Sequence, residues 1–130
     1  MLADAKAMNS FAVDDVRKAR EFYGETLGVG ASVFDDSPQA LMVLQLSGDR
    51  DTIVYEKPDF IPATYTVLNF AVEDIDSAVD DLSSRGVAFE RYDGFEQDEK
   101  GIARGKGPDI AWFKDPAGNI LALMQDSQEM

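Results

Sequence analysis

The sequence predicts an α+β protein built from two copies of a β-α-β-β-β module. The first observation is an internal repeat, because residues 11–19 (FAVDDVRKA) align with residues 70–78 (FAVEDIDSA). The second observation is that both segments continue in a helical pattern, which ends at a glycine followed by a valine. We therefore expect one domain over residues 1–130, with modules at 6–58 and 64–126.

Each module begins with a predicted strand, at residues 7–13 and 65–72, and continues into an amphipathic helix. Asp15 and Asp74 stand where a helix N-cap prefers an acidic side chain. Apolar residues at spacings of three and four then place one helix face on a core. This face consists of Val16, Ala19, Phe22, Tyr23 and Leu27 in the first module and of Ile75, Ala78, Val79 and Leu82 in the second.

Three strand-like runs follow each helix and complete the modules. Gly28 and Gly86 stand where a left-handed C-cap is expected. The predicted strands are 31–35, 41–47 and 52–57 in the first module, and 87–92, 110–114 and 119–125 in the second. Residues 115–119 (DPAGN) predict a tight turn. The polar, glycine-rich residues 93–107 predict a long loop.

Composition excludes several classes of site. The chain has no histidine and no cysteine, which excludes disulfides, zinc fingers and catalysis by an imidazole or a thiol. The formal net charge of −13 disfavours nucleic acid and anionic membranes as partners and attracts cationic ligands. No secretion signal or membrane span is recognisable, so we expect a cytoplasmic protein.

The first strand of each module has two chemically different faces. Its large apolar residues lie two apart, as Phe11 and Val13, and as Phe70 and Val72. They share one sheet face, which we expect to pack under the helix. The opposite face carries small and polar residues, among them Ser10 and Asn69. An amide in an apolar strand suits either a satisfied structural position or a hydrogen-bonding group in a pocket.

Four sequence motifs resemble the vicinal oxygen chelate superfamily, the group of glyoxalases, bleomycin-resistance proteins and extradiol dioxygenases. They are VDDV at 13–16, FYGETLG at 22–28, VEDI at 72–75 and WFKDPAGN at 112–119. The resemblance covers nearly the whole chain, and the DPAGN turn is its most specific part. It implies a mixed sheet of eight strands curled around a central cup, often completed by a second copy in a homodimer.

The resemblance also implies where the superfamily's enzymes hold a divalent metal. In this sequence the two first-strand ligand positions are Met8 and Val67, and the second module's last-strand position is Ala122. Val54 is our first choice for the fourth position, with Glu56 as the alternative. Apolar side chains offer no oxygen or nitrogen donor, so we expect neither a metal nor any other cofactor.

The alternation and the resemblance together predict a cup that binds a small molecule. Its expected lining residues are Met8, Ser10, Val54, Glu56, Val67, Asn69, Trp112, Ala122 and Met124. Trp112 suits either core packing or a stacking wall for a planar or cationic ligand. The segment with Phe95, Glu96, Asp98 and Glu99 suits a solvated loop better than an acidic lid.

Three functions follow as hypotheses. The first is a metal-free binding protein for a small, cationic, drug-like molecule, comparable to the bleomycin-resistance proteins. The alternative is a lyase or dioxygenase-type enzyme with a non-standard or absent metal site, with Glu56 as general base and Tyr55 or Tyr65 as acid. The third is a dimeric interaction module whose own side chains fill the cup.

Overall fold

The computed structural model describes residues 1–35, 40–48, 50–105 and 107–126. Residue 106 of the predicted loop therefore lies outside the described residues. The chain divides into two compact units, Met1–Pro62 and Ala63–Met130, called here the first and second units. Each unit combines a mixed β-sheet with a helical segment, so the α+β class predicted from the sequence is correct.

The first unit contains a four-stranded sheet. Its strands are β1 (Asn9–Val13), β2 (Gly30–Phe34), β3 (Leu41–Leu46) and β4 (Arg50–Glu56). They lie in the order β1-β4-β3-β2, with β1 parallel to β4 and the other pairs antiparallel. Val13, Met42 and Val54 are fully buried, so alternate residues of three neighbouring strands form the core of this unit.

The helical segment of the first unit changes type part-way along. It starts as α1 (Val16–Arg20), capped by Asp15, whose carboxylate accepts from the backbone N–H groups of residues 17 and 18. A π-helical turn follows at Glu21–Thr26, and the Leu27 N–H donates to the Phe22 carbonyl at 2.9 Å. Gly28 then adopts a φ of 75°, as the predicted left-handed cap requires.

The second unit contains a three-stranded sheet and a regular helix. Its elements are β5 (Thr66–Val72), α2 (Ile75–Ser84), β6 (Ile110–Lys114) and β7 (Ile120–Gln125). The strand order is β5-β7-β6, with β5 parallel and β6 antiparallel to β7. Asp74 caps α2 by accepting from the Ser77 N–H, and Gly86 adopts a φ of 92°.

The predicted strand at residues 87–92 is not formed. Only an isolated bridge joins Phe89 to Phe113 there, next to a hydrogen bond from the Glu90 N–H to the Trp112 carbonyl at 2.8 Å. The Gln97 side chain, and not a neighbouring strand, forms hydrogen bonds with the backbone of this segment. Its amide oxygen accepts from the Tyr92 N–H, and its amide nitrogen donates to the Glu90 carbonyl. The described residues therefore form seven strands in two sheets, where the sequence predicted eight.

Both units attach the start of the helix to the end of the last strand. In the first unit the Val16 N–H donates to Oε2 of Glu56 at 3.0 Å. In the second unit the Ile75 N–H donates to Oε1 of Gln125 at 2.9 Å. Each acceptor satisfies a backbone N–H that the helix itself leaves unpaired.

The predicted turn at residues 115–119 is present, and its first and last residues, Asp115 and Asn119, are buried. Asp115 accepts from the backbone N–H groups of Ala117 and Asn119 through Oδ1, while the Asn119 side-chain amide donates to its Oδ2. These contacts satisfy the carboxylate inside the protein.

None of the helices in the described ranges is both long enough and apolar enough to cross a membrane.

Candidate functional site

The face of the first unit's sheet that points away from the helix is open. Ser10 pairs with Ile53 and Ala12 pairs with Tyr55, so the side chains of these four residues lie on the same face. Ser10 is exposed, while Ala12, Ile53 and Tyr55 are half-buried. Met8 directly precedes β1 and has 53% of its surface exposed. This face can therefore contact a molecule from outside the unit.

Val54 and Glu56 lie on the opposite face, so the expectation that they line one surface with Ser10 is wrong. Val54 pairs with Phe11, and Glu56 pairs with Val13. Val54 is completely buried, and the Glu56 carboxylate accepts the Val16 N–H at the start of α1. The register assigns both residues to the core side, and it removes Glu56 as a candidate general base on the open face.

The register also identifies the residue that takes the place expected for Val54. In the second unit Asn69 pairs with Ala122. In the first unit the residue equivalent to Asn69 is Ser10, which pairs with Ile53. Ile53 is therefore the counterpart of Ala122 in the first unit.

In the second unit the predicted face residues lie together. Asn69 pairs with Ala122, which also pairs with Trp112, so these three side chains share a face. Met124 lies two residues further along β7 on that face, and Val67 lies where the β5–β7 register shifts between residues 66 and 68. Asn69 is exposed, whereas Trp112 is 8% exposed and Ala122 is fully buried.

The long loop between α2 and β6 covers part of this face. Ala103 packs with Trp112 and Ala122 in a buried cluster. The rings of Tyr92 and Phe95 lie against the Trp112 ring at centroid distances of 5.3 and 4.9 Å. Trp112 therefore packs against buried residues of the second unit and also contacts the exposed ring of Phe95.

Tyr92 is a member of this cluster that the sequence analysis did not select. Its hydroxyl is buried and has no hydrogen-bond partner within the described part of the chain. Burial raises the pKa of the Tyr92 hydroxyl, and the neighbouring Glu90 carboxylate raises it further. In the sequence, the aromatic residues at 92, 95 and 112 are the feature that could have indicated this cluster. Their contact depends on how the loop folds, which the sequence pattern does not specify.

Ion pairs hold the loop on α2. The Arg104 guanidinium contacts Asp76 at 2.9 Å, Asp98 at 3.2 Å and Asp109 at 2.9 Å. Lys100 pairs with Asp80 at 3.1 Å. The sequence favoured a solvated loop over an acidic lid. In the structure Asp98, Lys100 and Arg104 of this loop form ion pairs at the surface.

A pocket of about 380 Å³ opens beside this loop. Its volume falls within the range of small-molecule sites. The lining residues are Gly94, Phe95, Glu96, Ala103, Arg104 and Ile110. We call it the loop pocket.

The profile of the glyoxalase, bleomycin resistance protein and dioxygenase superfamily matches residues 7–123. The chain belongs to this superfamily. This confirms the resemblance that the motifs indicated. No curated protein sequence matches the chain significantly.

Solved structures agree with this assignment. A glyoxalase family protein from Enterococcus faecalis is 21% identical, covers 96% of this chain and 100% of its own, and has a TM-score of 0.70. TnmS3, an antibiotic binding protein from Streptomyces sp. CB03234, is 27% identical, covers 95% and 98%, and has a TM-score of 0.66. The fosfomycin resistance protein FosX from Listeria monocytogenes is 15% identical, covers 97% and 94%, and has a TM-score of 0.71. The first and third likenesses establish the fold alone.

The superfamily's metal positions carry unsuitable side chains in this member. With the register corrected, the four positions are Met8, Ile53, Val67 and Ala122. Three are hydrocarbons, and a thioether is a soft ligand that hard divalent ions do not select. In the described ranges, no three histidine, cysteine, aspartate or glutamate side chains are grouped to hold a metal ion. These residues do not fit the superfamily's metal.

Proposed function

We propose that this protein binds a small organic molecule without a resident metal ion and without catalysing a metal-dependent reaction. The observation that carries the proposal is the register of β1 and β4, which makes Ile53, and not Val54 or Glu56, the fourth metal position. With Glu56 assigned to the core side, no carboxylate remains among the four positions. Metal-dependent members need the ion to polarise a substrate oxygen, and no side chain at these positions can hold it.

The chemistry of the sheet faces supports binding of a mainly apolar molecule. In the first unit Met8 and Ile53 provide apolar surface beside the exposed hydroxyl of Ser10, and in the second unit Met124 provides apolar surface on the face that carries the exposed amide of Asn69. Small-molecule sites typically combine apolar walls with a few polar groups that fix orientation. The net charge of −13 favours a cationic molecule through long-range attraction.

The likeness to TnmS3 supports an antibiotic-like ligand. That protein is described as antibiotic binding, and the two chains share 27% identity over nearly their full lengths. A binding protein can protect against a drug by lowering its free concentration, which requires affinity and no reaction. We therefore place this protein with the drug-binding members of its superfamily and not with the enzymes.

Metal analysis tests the first half of the proposal. We expect much less than one ion per chain after dialysis against Mn²⁺, Ni²⁺ or Zn²⁺, followed by elemental analysis. The buffer should have high ionic strength, because salt screens the nonspecific attraction of cations to an acidic surface. One firmly bound ion per chain would overturn the metal-free assignment.

Calorimetric titration tests the second half. We expect saturable heat with at least one member of a panel of cationic glycopeptide antibiotics and aromatic amines. Asn69→Ala should weaken that binding about threefold to tenfold, as the loss of one hydrogen bond does. Asn9→Ala is the matched control, because Asn9 lies on the helix side of β1, where it accepts from the Thr52 hydroxyl. Absence of heat across the panel would refute the proposal.

A homodimer is the assembly we propose for this protein. The resemblance implies it, and Met8 and Phe34 expose 53% and 50% of their surfaces in the first unit. Exposed apolar groups of this kind often contact a partner chain. Sedimentation velocity should give about twice the chain mass of 14.3 kDa, and a monomer at all concentrations would contradict this part of the proposal.

A further inference from the structure

The loop pocket presents an aromatic ring at its wall. Phe95 lines it and has 55% of its surface exposed. The Trp112 ring packs against the Phe95 ring at a centroid distance of 4.9 Å and an interplanar angle of 59°, which restricts the movement of the Phe95 side chain. An exposed ring that is already held in place loses little conformational freedom when a second ring stacks on it.

The two charged residues of the loop pocket are not equivalent. Arg104 contacts the carboxylates of Asp76, Asp98 and Asp109, so its positive charge is compensated within the protein. Glu96 is exposed, and the structure gives its carboxylate no ion-pair partner among the described residues. Among its described lining residues, the pocket therefore offers an approaching ligand a negative charge and no uncompensated positive charge.

The lining also limits the size and polarity of the ligand. Ala103 and Ile110 join each other through two backbone hydrogen bonds of 2.8 and 3.1 Å, and both line the pocket. They form an apolar wall whose backbone groups are satisfied, so this wall favours a hydrocarbon surface over a polar one. The volume of about 380 Å³ suits a fused two- or three-ring system.

We propose that the loop pocket binds a cationic aromatic group, whose ring stacks on Phe95 and whose positive charge lies beside Glu96. This inference rests on the proposed small-molecule binding. It gives a cationic aromatic group of the ligand its own place, in addition to the hydrogen bond proposed at Asn69. All described lining residues of the loop pocket belong to the second unit. The pocket is separate from the superfamily's metal positions, since none of those residues lines it.

A pair of probes separates the ring contribution from the charge contribution. We would titrate the protein calorimetrically at pH 7 with 9-aminoacridine, which is cationic there, and with acridine, which is neutral and has the same ring system. We expect 9-aminoacridine to bind more tightly. Phe95→Ala should weaken both probes about fivefold, because both lose the stacking surface.

The charge variant gives the sharper outcome. Glu96→Gln should weaken 9-aminoacridine about fivefold at low salt and leave acridine unchanged, and added salt should reduce the difference between the variant and the parent protein. Glu99→Gln is the matched control, since Glu99 is an exposed acid of the same loop that does not line the pocket. Ile61→Ala is the apolar control, because Ile61 is 84% exposed and lies outside both sheets.

The outcomes distinguish this inference from the broader proposal. If the antibiotic and amine panel gives saturable binding that Phe95→Ala and Glu96→Gln leave unchanged, the loop pocket is not the site, although small-molecule binding stands. If acridine and 9-aminoacridine bind equally well, or not at all, the cationic aromatic assignment is wrong. Circular dichroism of each variant should show the parent fold, since Phe95 and Glu96 lie at the surface.

Discussion

On the sheet faces away from the helices, Ser10 and its counterpart Asn69 are both exposed. Ile53 of the first unit is half-buried, however, whereas its counterpart Ala122 in the second unit is fully buried. The difference follows from the connection after each helix. The segment from Gly86 to Ile110 is nearly twice as long as the segment from Gly28 to Leu41. The longer segment folds over its own sheet, so corresponding faces of the two units expose different surfaces.

The helices show a second difference with a simple cause. The segment from Val16 to Gly28 is one residue longer than the segment from Ile75 to Gly86. A π-turn closes its hydrogen bond over one more residue than an α-turn does. The π-helical turn at Glu21–Thr26 therefore accommodates the extra residue while both helices keep an N-cap aspartate and a C-terminal glycine.

The largest effect should come from removing the covered aromatic residue of the second unit. Trp112→Ala is expected to lower the free energy of unfolding by about 3–5 kcal/mol, because it leaves a large cavity under the loop. Val43→Ala, at the corresponding position of the first unit, should cost about 1 kcal/mol or less, since Val43 is only half-buried. Urea denaturation followed by far-UV circular dichroism measures both, and equal costs would contradict the difference between the two faces.

In both units a side chain of the last strand accepts a hydrogen bond from the start of the helix. Removing this hydrogen bond should have an effect of intermediate size. Glu56→Leu is expected to lower the free energy of unfolding by about 1–2 kcal/mol, because the Val16 N–H loses its acceptor. Glu56→Gln should be nearly neutral, since Gln125 makes the same contact to Ile75. If the glutamine variant were as damaging as the leucine variant, the carboxylate of Glu56 would have another role.

A smaller effect of opposite sign is expected at Tyr92. Its buried hydroxyl has no partner among the described residues, so Tyr92→Phe removes a polar group that burial penalises. The free energy of unfolding should stay the same or rise by up to about 1 kcal/mol. Chemical denaturation of the two proteins compares them directly. A loss of more than 1 kcal/mol would mean that the hydroxyl is hydrogen-bonded in solution.

The smallest effect is local and depends on pH. Desolvation alone would raise the pKa of Asp98, but hydrogen bonds from the Ile102 N–H, the Arg104 side chain and the Lys100 N–H outweigh it and hold the pKa below its ordinary value. The stabilisation from Asp98 is therefore present above its unfolded pKa of about 4 and is lost as the pH falls through its lower folded pKa.

Quenching of the single tryptophan by acrylamide should report this change, since Trp112 lies under the same loop. We expect quenching to increase as the solution becomes acidic, and Asp98→Asn should show increased quenching already at pH 7. Glu99→Gln is the control in the same loop and should behave like the parent protein. If acrylamide quenched Trp112 equally in the Asp98→Asn variant and in the parent protein at pH 7, Asp98 would not hold the loop.

Sequence motifs predicted the local features well because those features depend on neighbouring residues. Asp15 and Asp74 cap helices, and Gly28 and Gly86 take the left-handed conformation that follows them. The turn at residues 115–119 also forms as predicted. Each of these requires only a short stretch of chain, and the residue types themselves favour the required backbone conformation.

The residues alone were thus enough to predict the superfamily, the α+β class and the side of β1 that faces the helix. The strand pairing in the fold was needed to establish that Ile53, and not Val54 or Glu56, shares a face with Ser10. The tertiary structure also decided that Tyr92 and Phe95 meet Trp112. The physical reason is that strand register depends on pairing between distant parts of the chain, and a shift of one residue turns every side chain to the other face.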